Sequence, residues 1–357
     1  MTARGTFRGL LDVVRTRTDS ALVTWVRPKV EAASHVSLEA TAVAQAIERL
    51  AVRGGKRMRA ALVGAAFEGF GGGAILEDDG AFGCVMPAML SVELLQVYLL
   101  IHDDWMDDDE VRRGGASVHV ELREKLRSTK LGDACGVLAG DLASAWAQEA
   151  LLASPVAAER VLAAASVFAK IQDDVVTGQI AEMTAAVIDG RRAPTVEQIH
   201  ELKTASYTVT GPLALGSALA GASRERLAEL ARFGRPLGVA FQLRDDLLGV
   251  FGDPTATGKP VWNDIRQGKR TALVSELRGD AQAMPLLDRV LGNVDAPDAD
   301  VEAVVRLMES SGAKARVEAR LHELLDEARG ALAAMTLAGN ARAWLEGAVT
   351  ALGERAT

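Results

Sequence analysis

Ser91-Val92-Glu93-Leu94-Leu95-Gln96-Val97-Tyr98-Leu99-Leu100-Ile101-His102-Asp103-Asp104-Trp105-Met106-Asp107-Asp108-Asp109 is the stretch on which the reading of this chain turns. Its first eleven residues are almost wholly apolar and read as a buried helix that delivers aspartates at its C-terminal end. On such a helix Asp103 and Asp107 lie four apart and Asp104 and Asp107 three apart, so all three project from one side. Asp108 also follows Asp104 by four, so spacing alone leaves open which carboxylates would bind a metal. Negative charge at a helix C-terminus opposes the backbone dipole. A purely structural helix has little use for five Asp and one Glu at that end.

Outward from this stretch the same pattern recurs. Arg112-Arg113-Gly114 follows the first cluster; far downstream Gln242-Leu243-Arg244-Asp245-Asp246 is followed by Lys259 and then Lys269-Arg270. Concentrated carboxylates repel one another and resist burial unless cations neutralise them. Mg²⁺ bridging to a diphosphate supplies charge and oxygen geometry together, and adjacent arginines grip diphosphate oxygens bidentately. Gln242, Asp245, Asp246 and Gly249 follow i, i+3, i+4, i+7 spacing and are expected on one helical face. Gly54-Gly55-Lys56-Arg57-Met58-Arg59 is expected to open a helix whose free N–H groups and basic side chains attract an anion. Lys203-Thr204 stands at the start of an uncharged segment.

Composition sets the class. Hydrophobic residues make up 49% of the 357 and aromatics only 4%, with Ala and Leu dominant, which favours helices over sheet. A formal charge of −8 offers no net basic surface for nucleic acid. Cys84 and Cys135 lack metal-type spacing and read as buried free thiols of a cytoplasmic protein. The N-terminal thirty residues carry arginines without a sustained apolar core, so no secretion signal is expected. Thr204 to Ser223 is uncharged and long enough to span a bilayer. Its Ser, Thr and Gly-Pro content favours a buried helix, and no transmembrane segment is expected.

Helices are expected near residues 7–33, 38–52, 57–69, 82–106, 116–126, 133–152, 156–188, 196–220, 226–251, 273–279, 285–291, 298–311, 312–332 and 342–352. Pro155 is expected to open one and Thr195 to cap another. No segment reads as a strand, and residues 280–300 read as a mobile connection.

Taken together, these motifs resemble the trans-isoprenyl diphosphate synthases, the polyprenyl synthetase family, with the likeness running from about Gly54 to Thr271. Gly54 to Arg59 is similar to the family's Gly-Gly-Lys-Arg-x-Arg-Pro, with Ala60 in place of the proline. Asp103-Asp104-Trp105-Met106-Asp107 resembles its first aspartate-rich motif, without an insertion, and Arg112-Arg113-Gly114 its Arg-Arg-Gly. Gly178-Gln179, Lys203-Thr204 and Phe241-Gln242-Leu243-Arg244-Asp245-Asp246 resemble the remaining elements. Two positions depart: Gly249 stands where the second motif often ends in Asp, and Gln96 where many members have a histidine.

The resemblance implies an all-α, single-domain bundle of long antiparallel helices around a deep central cavity. One domain would span 1–357, with its motif-bearing core at about 50–275, usually as a homodimer. It implies that Asp103, Asp104, Asp107 and Asp245 hold about three Mg²⁺ ions with an allylic diphosphate. Arg112, Lys203 and Lys259 would neutralise that diphosphate, with Gln242 and Thr204 beside it. Lys56, Arg59, Gln96 and Arg113 would hold isopentenyl diphosphate. The expected product is a linear trans-prenyl diphosphate, most like geranylgeranyl diphosphate. Tyr98, five positions before Asp103 and so roughly 7.5 Å along the axis, and Leu99 beside it would set chain length; Leu95 or Ser91 is the deeper alternative floor. The competing readings are a farnesyl diphosphate synthase, a class I terpene cyclase and a non-catalytic partner subunit. The cyclase would need an Asn/Asp–Ser/Thr–Glu motif that Asn263-Asp264-Ile265-Arg266-Gln267 does not supply.

Overall fold

The structure, a computed structural model, describes residues 5–185, 194–252, 262–280 and 282–354. Its described residues are all-α apart from one two-stranded hairpin. In chain order the helices are α1 Phe7–Ser34, α2 Leu38–Val52, α3 Met58–Gly69, α4 Asp79–Met106, α5 Val118–Lys125, α6 Thr129–Leu152, α7 Ala158–Ala185, α8 Val196–Ile199, α9 Gly211–Ala220 and α10 Arg224–Phe251. Then come α11 Asn263–Arg266, α12 Ala272–Arg278, α13 Met284–Val290, α14 Asp298–Ser310, α15 Ala313–Ala334 and α16 Ala341–Val349. The chain divides into two compact units. One runs to Phe168 and adds Pro212–Ser223 and Leu337–Trp344; the other comprises Ala169–Gly211, Arg224–Thr336 and the chain from Leu345 onward.

In the first unit α4 packs chiefly against α6 and α3. Every residue of α3 from Ala60 to Gly69 is buried, as befits a helix apolar all round. Helix α4 starts earlier than its apolar pattern suggests, because Asp78 caps it by accepting from Gly80 N–H at 2.8 Å. The same device moves the start of α6 to Thr129, where the Ser128 hydroxyl accepts from Leu131 N–H. Gly136 and Gly140 lie one turn apart on α6, and a Cβ at either would strike His119 of α5 or the His102 ring of α4. That close approach seats His102, whose Nε2 is 2.9 Å from the Val137 carbonyl. Among the described residues α4 is also long and apolar enough to cross a membrane, yet it is largely buried within the protein and carries the ion-paired Glu93.

In the second unit α10 packs against α15 and the segment 200–210. Residues 196–220 were expected to form one helix. Instead α8 passes into a π-helical segment, His200–Thr210, before α9. Gly211 N–H bonds the Ser206 carbonyl, five residues back, and the hydroxyls of Ser206 and Thr210 bond the carbonyls of Leu202 and Ala205. Hydroxyls that bond backward along a helix compete with its regular ladder and so favour such a widening. Thr195 caps α8 as expected, in a capping box with Gln198. Pro155 does not open α7, which begins at Ala158. Within the expected connection 280–300, Met284–Val290 forms α13, and both cysteines are free and half-buried rather than fully buried.

Candidate functional site

The first acidic motif ends α4. Asp107 is the C-cap, its N–H bonding the Asp103 carbonyl at 2.9 Å, and Asp109 N–H bonds the Asp104 carbonyl at 2.8 Å. Asp108 takes a left-handed φ of 52° and turns the chain out of the helix. The hairpin follows, with Val111 paired to Ala116 and Arg112 to Gly115. Its central residues Arg113 and Gly114 have φ of 51° and 73°, the pattern of a type I′ turn matched to strand twist. The Arg-Arg-Gly sequence is therefore a turn that throws two guanidinium groups to different neighbours. Sequence periodicity missed this hairpin because two-residue strands have no alternation to read.

Arg112 turns back onto α4. Its Nε donates to Asp104 Oδ1 at 2.6 Å, and its Nη2 pairs with Asp104 and reaches Asp109 Oδ2 at 3.1 Å. Asp104 is fully buried, whereas Asp103 and Asp107 are half-buried and Asp108 exposed. Burial outweighs the Arg112 charge and pushes the Asp104 carboxyl up to about 6. Its second oxygen, Oδ2, is buried without a hydrogen-bond partner. An anionic atom in that condition is suited to a cation. Among the described residues no three His, Cys, Asp or Glu side chains converge as a ready-made metal cage. Mg²⁺ does not need one, since it is held by one or two carboxylates plus substrate phosphate oxygens. The donor set therefore fits that ion.

Arg113 turns the other way, toward the glycine-rich entry to α3. A Cβ at Gly55 would lie 3.6 Å from Arg113 Nη2 and 3.6 Å from Arg57 Nη1. Arg57, a left-handed N-cap with φ 51°, is buried: it donates to Glu93 Oε2 at 2.8 Å, Asp19 Oδ1 at 2.7 Å and the Ala51 carbonyl at 2.9 Å. Within the basic run, then, Arg57 holds α3 to α4 through Glu93, while Lys56 is exposed and Arg59 half-buried. Burial, and next the Arg57 charge, hold the Arg113 guanidinium below its usual value, with Arg59 adding to the effect and Glu93 opposing it. Arg113 Nη1 is buried without a hydrogen-bond partner. Gln96, half-buried on α4, stands one turn from Glu93. Crowded, under-neutralised guanidinium groups make a site for a polyanion.

Tyr98 and Leu99 are half-buried, and the Tyr98 ring meets His102 edge-on with centroids 4.9 Å apart. Burial, then the Asp141 charge, raises the Tyr98 hydroxyl above its usual value. Leu95 and Ser91, one and two turns earlier, are buried.

The second motif, on α10, separates two residues that spacing put on one face. Asp245 is exposed; Asp246 is buried. Gln242 Nε2 donates to Asp246 Oδ1 at 2.9 Å, and Ala272 N–H, at the start of α12, donates to Asp246 Oδ2 at 3.1 Å. Burial pushes the Asp246 carboxyl up to about 7, those two hydrogen bonds working against it. Gln242 Oε1 in turn accepts from the Thr204 hydroxyl at 2.8 Å. His200 Nε2 lies 3.5 Å from Asp246 Oδ2. Lys203 is paired with Glu182 of α7. The two helical segments meet closely here, because a Cβ at Gly178 would run into the Lys203 backbone nitrogen. Gly178 is thus the residue that lets α7 touch the segment carrying Lys203. Lys259 lies outside the described residues. His200 is a residue that the sequence reading passed over, and Asp246, placed by spacing on the face of Asp245, was given no role of its own.

Comparison with known proteins follows the same lines. The polyprenyl synthetase family model matches residues 40–308. The geranylfarnesyl diphosphate synthase of Aeropyrum pernix is 32% identical over 282 residues, which cover 78% of this chain and 83% of that protein. The (2E,6E)-farnesyl diphosphate synthase of Mycobacterium bovis is 35% identical over 248 residues, covering 66% of this chain and 65% of that one. The crystal structure of geranylgeranyl pyrophosphate synthase from Corynebacterium glutamicum, complexed with isoprenyl diphosphate and magnesium, matches with a TM-score of 0.87 and 29% identity. That match covers 97% of this chain and 99% of the other.

Proposed function

The chain belongs to the polyprenyl synthetase family, and from that premise we propose that it is a magnesium-dependent trans-prenyltransferase. It condenses isopentenyl diphosphate with dimethylallyl, geranyl or farnesyl diphosphate to a linear prenyl diphosphate, with geranylgeranyl diphosphate as the product. The observation that carries this reading is the buried Asp104, paired with Arg112 on one oxygen and left with an unpartnered second oxygen. Such a carboxylate is a ligand prepared for a cation.

In this reading Asp103, Asp104, Asp107 and Asp245 would hold about three Mg²⁺ ions, which when bound would supply positive charge to the leaving diphosphate. Arg112 and Lys203 add fixed positive charge to that leaving group, and Lys259 is assigned the same role. Lys56, Arg59, Gln96 and Arg113 grip the second diphosphate, so that the double bond of isopentenyl diphosphate is held against the allylic cation. The apolar residues along α4 before Asp103 keep water from that cation. The proton released on bond formation goes to the departing diphosphate, which is the strongest base beside it. No side-chain base is then required.

The names of the relatives span farnesyl to geranylfarnesyl products, so product length rests on this chain's own residues. Tyr98, with Leu99 beside it, is proposed as the stop. The two compact units are proposed to form one catalytic domain, because the family match runs through both. The enzyme is proposed to work in the cytoplasm as a homodimer. Its free thiols support the first, and an exposed apolar row on α6, Leu131, Leu138 and Leu152, supports the second.

The test is incubation of purified protein with Mg²⁺, isopentenyl diphosphate and each allylic primer, followed by chromatography of the dephosphorylated products. Release of diphosphate with a linear C20 alcohol is expected. A C15 product would make it a farnesyl diphosphate synthase. Cyclic hydrocarbons from geranylgeranyl diphosphate alone would indicate a cyclase, and no turnover with any primer a partner subunit.

A further inference from the structure

When ionised, the buried carboxylate of the second motif sets the polarity of the chain of neutral donors that holds it. Asp246 brings two acceptor oxygens to it. Ala272 N–H donates to one, with His200 Nε2 3.5 Å from that same oxygen, and Gln242 Nε2 donates to the other. Because the Gln242 amide must turn its nitrogen toward Asp246, its oxygen faces Thr204, and the Thr204 hydroxyl donates to it. A hydroxyl has a single proton. With that proton committed to Gln242, Thr204 offers only lone pairs to whatever lies beside it. The four residues involved, Thr204, Gln242, Asp246 and Ala272, are half-buried or buried within one compact unit, so bulk water does not scramble the order. The backbone at Thr204 is itself part of the π-helical segment, which packs against α10.

We propose that Asp246 is a positioning residue that acts through Gln242 to set the hydrogen-bond polarity of Thr204, so that the Thr204 hydroxyl serves the reaction as an acceptor. Gln242 is then a relay in the chain rather than a hand laid on the diphosphate. This inference rests on the prenyltransferase reading above, and it makes a demand that a merely structural Asp246 does not. Asp246→Asn keeps the shape and lets every bond in the chain re-form, but only in reverse. The new amide must keep its oxygen for Ala272 N–H and turn its nitrogen toward Gln242. The Gln242 amide must then flip, its nitrogen now facing Thr204, and the Thr204 proton is pushed outward. Shape and bond count survive; polarity does not.

The experiment is a set of four proteins: wild type, Asp246→Asn, Asp246→Asn with Gln242→Glu, and Asp246→Asn with Thr204→Val. Asp246→Asn is expected to lower kcat roughly tenfold, with KM for isopentenyl diphosphate and the unfolding midpoint nearly unchanged. Adding Gln242→Glu exchanges the carboxylate and amide along the chain and restores Thr204 as donor to position 242, so much of the lost kcat should return. Against a Thr204→Val background, Asp246→Asn should cause no further loss of kcat, because there is no hydroxyl left to turn. Full activity in Asp246→Asn, no rescue by Gln242→Glu, or an undiminished loss in the Thr204→Val background would overturn the proposal.

Wild-type turnover is the control that separates the two readings, since its absence defeats the prenyltransferase assignment. The chain itself is then read by kcat, in which the losses at 204 and 246 must be non-additive. Additive losses defeat the chain.

Discussion

The two acidic motifs share an Asp-Asp pair and hold it differently. In each, the second aspartate is the buried one: Asp104 at the end of α4 and Asp246 within α10. In each, burial raises the carboxyl well above the ordinary range. Asp104 is met by a cation, Arg112, and keeps one oxygen unsatisfied. Asp246 is met by an amide on one oxygen and a backbone N–H on the other, with the His200 ring nitrogen 3.5 Å from the latter. A carboxylate with an open oxygen is a ligand; one with both oxygens filled by neutral donors is a fixture. The same dipeptide thus does two jobs, and the neighbours decide which.

The largest effect that would sharpen this contrast lies at the first motif. Asp104→Asn, which removes charge from the open oxygen, should cut the condensation rate ~10²–10³-fold and raise the Mg²⁺ concentration needed for half-maximal rate. Steady-state assays with labelled isopentenyl diphosphate across a Mg²⁺ series read both. Equal losses at positions 104 and 246 would break the comparison.

Next in size is a stability difference between two ion pairs. Arg57 and Glu93 are both almost completely buried, whereas Lys203 and Glu182 are each part-exposed. Arg57→Ala strands the Glu93 charge and should destabilise the protein by about 3–5 kcal/mol. Glu182→Gln should cost no more than about 1 kcal/mol. Urea unfolding of the two variants checks the ordering, and a reversed order would contradict the burial argument.

A smaller effect concerns acid. Burial lowers His200 from 6.5 to about 4, with Glu197 opposing and Lys203 assisting. A depressed imidazole binds its proton less readily in the folded state. The stability it contributes is therefore complete above pH 6.5 and is lost as the pH falls from there through about 4. His200→Gln, which cannot titrate, should flatten the decline of unfolding midpoint across that window. A decline unchanged from wild type would show that His200 does not drive it.

The subtlest effect is on specificity. Tyr98→Ala should lengthen the product with little loss of total turnover, as chromatography of the alcohols would show. Unchanged length would move the floor to Leu95 or Ser91.

Much of this was legible in the sequence, and the reasons differ by residue. The apolar run before Asp103 made α4 visible, because a helix buried on all sides needs no polar face. The clustered Asp103, Asp104 and Asp107 stood out because charge at a helix C-terminus is costly without a partner. The hairpin at 111–116 did not, since its signal is the positive φ of Arg113 and Gly114, which no periodicity reports. Arg57 looked like one of three anion-binding basic residues, and only the long-range partners Asp19 and Glu93 show it as an internal strut. Helical spacing put Asp245 and Asp246 together. A residue-by-residue rotation of about 100° was enough to leave one exposed and bury the other. The π-helical widening at 200–210 was hidden for a similar reason, because its hydroxyl-to-carbonyl bonds leave the apolar pattern intact.

The most direct test of the central claim is diffraction from crystals soaked with Mn²⁺ in place of Mg²⁺ and an allylic diphosphate analogue that cannot ionise. Anomalous peaks are predicted against the carboxylates of Asp103, Asp104 or Asp107 and against that of Asp245, with Asp246 untouched by metal. A diphosphate bound without metal, or metal seated on Asp246 rather than Asp245, would contradict the account.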